Sequence, residues 1–158
     1  MIAGRSAPEL GGNETLLDIV GCNYYSNNQW FTSGRTLPFG GLNFRPLHDL
    51  LREVHERYER PILISETGAE GASGPSWLRY IAGEVAEALR VGTPVEGICI
   101  YPIMDYPGWS NGRHCRCGLI RLDPDWNVRT PDTALLRQLS EEQHRLQNST
   151  VTLQEWLP

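Results

Sequence analysis

The chain has 158 residues, 40% of them apolar and 21% charged, with a net charge of −5 and all 14 of its basic residues arginine. That length suits one domain, and the composition is that of a soluble globular fold. The acidic balance and the lack of a basic block argue against a nucleic-acid partner, and no run of about 18 apolar residues is present to cross a membrane.

Residues 1–15 read as a polar, glycine-bearing leader loop punctuated by Gly11, Gly12 and Asn13. Leu16–Tyr25 (LLDIVGCNYY) is apolar and rich in β-formers and predicts a strand. A long loop follows from Ser26 to Asn43. In the next segment, Leu47, Leu50, Leu51, Val54 and Tyr58 recur every three or four residues with charges between them. That spacing predicts an amphipathic helix that ends before Pro61. ILISETG (Ile62–Gly68) predicts a second strand. SWLRYIAGEVAEALRVG predicts a second helix, with Ser76 as its N-cap and Gly92 past its end. VEGICIYPIMD (Val95–Asp105) predicts a third strand, followed by a Gly- and Trp-bearing loop, Tyr106–Gly112. GLIRLDPDWNVRTP predicts a hairpin around Asp123-Pro124-Asp125, and DTALLRQLSEEQHRL a last helix. The domain reading is a single unit: a leader at 1–15, βα units at 16–142, and a tail at 143–158.

Strands alternating with helices predict an α/β fold of parallel βα units. Tyr25, Glu66 and Asp105 fall at successive strand ends, about 40 positions apart, one βα unit each. Reactive groups gather at the C-terminal ends of parallel strands, so Glu66, which ends a strand of branched apolar residues, is the first candidate for chemistry. A strand-end carboxylate that pairs with an arginine is the structural alternative.

No metal is expected. Cys115 and Cys117 beside His114 lack the C-x2-C pairs of a zinc site, and they read as free thiols. Cys22 and Cys99, inside apolar runs, read as small buried hydrophobes. No organic cofactor is expected either, because no Gly-rich phosphate loop follows the first strand, which also counts against a nucleotide-binding flavodoxin-like domain. The opening MIAGRSAPELGG carries no apolar run of the signal-peptide kind, so a cytoplasmic location is the expectation. His48 and His55 read as solvated or core-edge residues, and His114 as a polar surface residue.

Three segments, in order, resemble glycoside hydrolase family 1, the β-glucosidase family. GCNYYS (Gly21–Ser26) resembles its G-I-N-Y-Y-[TS] strand. ISETG (Ile64–Gly68) resembles its I-T-E-N-G segment. YPIMDYPGWSNGRHCRCGLI (Tyr101–Ile120) aligns without a gap on W-S-L-L-D-N-F-E-W-A-x-G-Y-x-x-R-F-G-L-[VI], matching at Asp105, Trp109, Gly112, Arg116, Gly118 and Leu119. The resemblance covers roughly residues 16–140 and only the C-terminal half of that family. It implies three strands, the sixth to the eighth, of a (β/α)8 TIM barrel: a partial barrel. It also implies a retaining O-glycoside hydrolase with a carbohydrate substrate. By position, Glu66 is then the nucleophile, and Tyr25 the tyrosine that hydrogen-bonds it. Asn23 meets the substrate or the carboxylate, Tyr101 lies under the sugar ring, and Trp109 packs on the sugar.

Such an enzyme needs two carboxyl groups about 5–5.5 Å apart, one attacking the anomeric carbon and one protonating the leaving oxygen. The second belongs to an N-E-P segment in the family, and no Asn-Glu-Pro occurs here. A whole barrel takes about 250 residues. The expectation is therefore a half or fragment, inactive as an isolated chain, that assembles with a missing N-terminal barrel half or with itself. The alternative is a non-catalytic carbohydrate-binding or structural half-barrel. Three positions depart from the family: Gly108 stands where it has a sugar-reading Glu, Thr67 where it has Asn, and Tyr101 where it has Trp.

Overall fold

The computed structural model describes residues 2–154, with the backbone alone described for 149–154. Its centre is a parallel three-stranded sheet in the order β1 (Val20–Asn23), β2 (Ile62–Thr67), β3 (Val95–Ile100). Helices α1 (Leu47–Tyr58) and α2 (Gly74–Arg90) connect the strands and cover one face. Parallel neighbours cannot be joined by a tight turn, so each connection carries a helix.

The register runs Val20, Ile62, Val95 across the N-terminal rim. It is interrupted between Ile62 and Leu63, where Glu96 is left unpaired between Val95 and Gly97, and again between Cys22 and Asn23 and between Ile64 and Thr67 at the C-terminal ends.

The apolar periodicity decides which face is sealed. Ile62 and Ile64 on β2, Leu47 and Leu51 on α1, and Ile81 and Val85 on α2 meet in one core, each at most 2% exposed. Tyr58, the last member of the α1 stripe, stays exposed because the helix ends beneath it: Glu59 turns into the left-handed region (φ 52°) and donates its N–H to the His55 carbonyl at 2.7 Å. α2 starts three residues earlier than its sequence pattern suggests, with Ser73 at the N-cap position. Ser76 lies inside its first turn, donating to the Ser73 carbonyl at 3.0 Å, and so does not cap it. Gly92, just past the end, takes φ 86° as a C-terminal glycine should.

Two expected strands are shorter in the structure. β1 begins at Val20 because Asn13 caps a 3-10 turn over Glu14–Leu16. β3 ends at Ile100, where a cis Tyr101–Pro102 bond turns the chain. Beyond it lie two small ribbons, β4 (Tyr106–Pro107) with β5 (His114–Cys115) and β6 (Ile120–Leu122) with β7 (Arg129–Pro131). The second is the hairpin anticipated around Asp123; the first falls in what reads as a loop. Helix α3 (Thr133–Gln154) packs along α2 and continues well past Leu146, into the stretch assigned to the tail. The rest of that tail, 155–158, lies outside the described residues.

The second face of the sheet is open. Gly21, Asn23 and Cys99 are exposed there, and Leu63, Ser65 and Gly97 half-buried. Cys99 is therefore no buried hydrophobe: alternation along β3 turns it to the uncovered side. These are parallel barrel strands with their outer helices in place and no closed barrel.

Candidate active site at the strand ends

The C-terminal ends of β1 and β2 bring Tyr25 and Glu66 together. The Tyr25 hydroxyl donates to Glu66 Oε2 at 3.0 Å, across 41 positions of sequence. Burial, then the hydrogen bond to Glu66 and its negative charge, push the Tyr25 phenol above its ordinary range, so it stays a protonated donor. Glu66 itself is half-buried.

Its neighbours are held from beneath. Thr67, buried behind it, donates from Oγ1 to the Tyr24 carbonyl at 2.7 Å and accepts from Trp77 Nε1 at 2.8 Å. This relay ties both strand ends to α2. Sequence reasoning passed over Trp77; its only signal was a tryptophan on the buried stripe of an amphipathic helix. A Cβ on Gly68 would collide with the Tyr101 carbonyl, so the turn after Glu66 can press against the end of β3 only as glycine.

The other candidates divide. Asn23 lies beside Glu66 in the register and accepts a hydrogen bond from Ser65 Oγ at 2.7 Å. Tyr25 and Tyr101 line one cleft, together with Ser26, Asn27, Glu70, Tyr106 and Arg113. Trp109 stands apart at the tip of the β4–β5 turn, 89% exposed. Gly108 lies beside it, and a Cβ there would meet only the end of the exposed Asn111 side chain, at 2.6 Å from its Oδ1.

Two further carboxylates approach this end, and both are committed to arginine and backbone N–H groups. Glu70 takes a two-point contact from Arg113 at 2.5 and 2.8 Å, which holds its carboxyl below the usual range. Asp105 is buried. Burial alone would raise its pKa, but N–H donation from Gly118 (2.8 Å) and Leu122 (3.1 Å) and the Arg121 guanidinium (3.3 Å) outweigh it and leave it lowered. His114 joins this network at 3.3 Å and packs on Trp126, so it is a half-buried structural residue and not a surface one. A general acid needs a raised pKa, so neither carboxylate is suited to that role.

His48 is likewise engaged, its Nδ1 lying 2.8 Å from Glu84, and His55 Nδ1 lies 2.9 Å from the Arg60 carbonyl. Cys117 is a thiol pushed up to about 11, first by burial. Among the described residues, no three His, Cys, Asp or Glu side chains form a metal-binding group, and no helix is long and apolar enough to cross a membrane.

No protein-family model matches the chain. A β-glucosidase of Agrobacterium sp. (strain ATCC 21400) is 34% identical over 96 residues, which covers 53% of this chain and 21% of that enzyme. A hyperthermophilic β-glucosidase structure superposes with TM-score 0.61 at 25% identity, over 80% of this chain and 34% of that one. The β-glycosidase of Thermosphaera aggregans gives TM-score 0.62 at 22% identity (85% and 35%). A family 1 β-glucosidase of Thermotoga maritima gives 0.63 at 19% (80% and 35%). The chain resembles part of a family 1 β-glucosidase. It spans about a fifth of the curated relative and about a third of the solved family 1 and related barrels. What it shares with them is a partial TIM barrel.

Proposed function

We propose that this chain carries the nucleophile half of a retaining β-glycosidase, and that the acid/base carboxylate comes from outside it. The observation that carries this reading is the Tyr25–Glu66 hydrogen bond at adjacent parallel strand ends. A tyrosine held protonated beside the carboxylate stabilises its ionised form, which a nucleophile requires. Glu66 attacks the anomeric carbon. The bond to the aglycone oxygen breaks, and that oxygen takes its proton from the external acid. Water then attacks the anomeric carbon, giving up a proton to the external carboxylate, and the bond to Glu66 breaks to free the sugar and the carboxylate. Asn23 would meet the sugar hydroxyls, Tyr101 would lie beneath the ring, and the exposed indole of Trp109 offers a flat apolar face for sugar C–H groups.

The commitment of Glu70 and Asp105 to arginine and N–H donors supports an acid from elsewhere. A 2-deoxy-2-fluoro glycoside with a good leaving group, supplied together with the five preceding βα units of a family 1 relative, should leave one sugar on the peptide holding Glu66. Glu66→Gln should abolish the label. An unlabelled wild-type chain across gluco, galacto and manno probes would overturn the assignment in favour of a non-catalytic carbohydrate-binding half-barrel.

A further inference from the structure

Glu70 is committed to Arg113 as a charge, but neither side chain has exhausted its hydrogen bonds. A guanidinium carries five N–H donors, and Arg113 gives two of them to Glu70. The others make no contact among the described residues, and the side chain is 55% exposed. A carboxylate has about four lone-pair sites. That of Glu70 accepts twice from Arg113 and once, at 3.4 Å, from the Arg116 N–H. The pair therefore still offers donors and an acceptor side by side.

Its place gives that surplus a use. Glu70 and Arg113 line the same cleft as Tyr25, Tyr101 and Tyr106. The cleft holds about 560 Å³, within the ~300–1,000 Å³ usual for small-molecule sites. Tyr25 bonds Glu66, so the cleft adjoins the candidate nucleophile. The rings of Tyr101 and Tyr106, 6.2 Å apart and tilted by 52°, supply an apolar wall. The backbone fixes the pair on both sides: the Arg113 carbonyl accepts from the Gly108 N–H at 2.7 Å, and the Gly71 N–H, next to Glu70, donates to the Arg116 carbonyl at 2.7 Å. A Cβ on Gly108 would lie 3.5 Å from Arg113 Cγ. The stem of Arg113 thus runs beside the place where a side chain at position 108 would begin, and glycine there leaves that stem uncovered.

We infer that the Glu70–Arg113 pair determines specificity by reading two neighbouring hydroxyls of the sugar: the spare N–H groups donate to one hydroxyl oxygen, and the carboxylate accepts from the next. This deepens the proposed function and rests on it, since the sugar read is the one whose anomeric carbon faces Glu66. A vicinal diol matches a donor and an acceptor set side by side, whereas a lone hydroxyl leaves one of them to water. The ligand is neutral. Glu70 already answers the charge of Arg113 through two contacts, and a uronate or phosphate would have to displace that carboxylate with Glu66 adding a second negative charge at the same rim. An exposed ion pair contributes little to folding, so losing it should show in recognition and not in stability.

Binding to the chain as it stands, read by ¹H–¹⁵N NMR, tests this without an acid partner or a covalent label. Among neutral methyl β-pyranosides of gluco, galacto and manno configuration, at least one should shift the Arg113 Nε–H signal at millimolar concentration. Deleting one of two neighbouring hydroxyls from that sugar, in its 3-deoxy or 4-deoxy form, should weaken binding about tenfold. Arg113→Lys and Glu70→Gln should each bring the parent and deoxy sugars to within about twofold of one another, with circular dichroism and the urea midpoint unchanged. The inference is overturned if none of the three sugars shifts Arg113, if discrimination survives both substitutions, or if methyl β-glucuronide binds more tightly than the neutral sugars. Its failure differs from failure of the nucleophile assignment. A chain labelled at Glu66 whose variants discriminate like the wild type loses only this inference. One that discriminates through Arg113 but takes no label keeps this inference and loses only the nucleophile.

Discussion

The two faces of the central sheet have adjacent residues and opposite fates. Ile62 and Ile64 of β2 are fully buried against α1 and α2, while Leu63 between them points to the uncovered side and is only half-buried. One strand thus carries a finished core on one face and an unfinished one on the other. The helix-facing layer is self-sufficient, because both crossover helices come from this chain. The inner face depends on strands that three βα units do not supply. One face holds the domain together, and the other face, with its rim, holds Glu66, the two joined through the Trp77–Thr67 hydrogen bond.

The largest expected effect is on the sealed side. Ile64→Ala should cost about 2–5 kcal/mol, since it removes a fully buried branched side chain and leaves a cavity, read as a lower urea midpoint. Asp105→Asn should cost about 3 kcal/mol at pH 7, because it breaks a buried pair and weakens the acceptor of two N–H groups. The folded pKa of Asp105 is depressed, so its contribution is present above the ordinary aspartate value near 4 and is lost as the pH falls through the folded value. Urea titrations at falling pH should show the variant and the wild type converging below about pH 4. Trp77→Phe should cost about 0.5–1.5 kcal/mol by removing one of the two hydrogen bonds of the buried Thr67 hydroxyl, which keeps its bond to the Tyr24 carbonyl, and should weaken sugar labelling through displacement of the Glu66 strand end. Leu63→Ala should cost under about 1 kcal/mol in dilute chain, where its side chain is already half in water. A much larger cost would mean that the open face is covered in solution, which would break the contrast between the faces.

The order of elements and the position of Glu66 could be read from the sequence because both depend on local pattern: apolar periodicity, and the habit of βα units to end in polar residues. The pairing of Tyr25 with Glu66 was implied by the family resemblance alone, and adjacent parallel strand ends bring the two side chains together. The relay from Trp77 through Thr67 to the Tyr24 carbonyl was not, because it joins a helix interior to two strand ends and has no local signature. The same holds for the Glu70–Arg113 contact, which spans 43 positions. Trp109 follows the family pattern by position, yet its place at a ribbon tip came from the unexpected β4–β5 pairing.

By itself, the sequence determined that this is a run of parallel βα units with a carboxylate at the end of its central strand, because periodicity and strand-end chemistry are written into neighbouring residues. Only the tertiary structure decided which carboxylates remain uncommitted. Glu70 and Asp105 are claimed by arginines and backbone N–H groups brought in from distant segments, whereas the contact that reaches Glu66 is the hydroxyl of Tyr25. Only the fold, too, left one face of the sheet bare, because covering it takes strands from beyond these three.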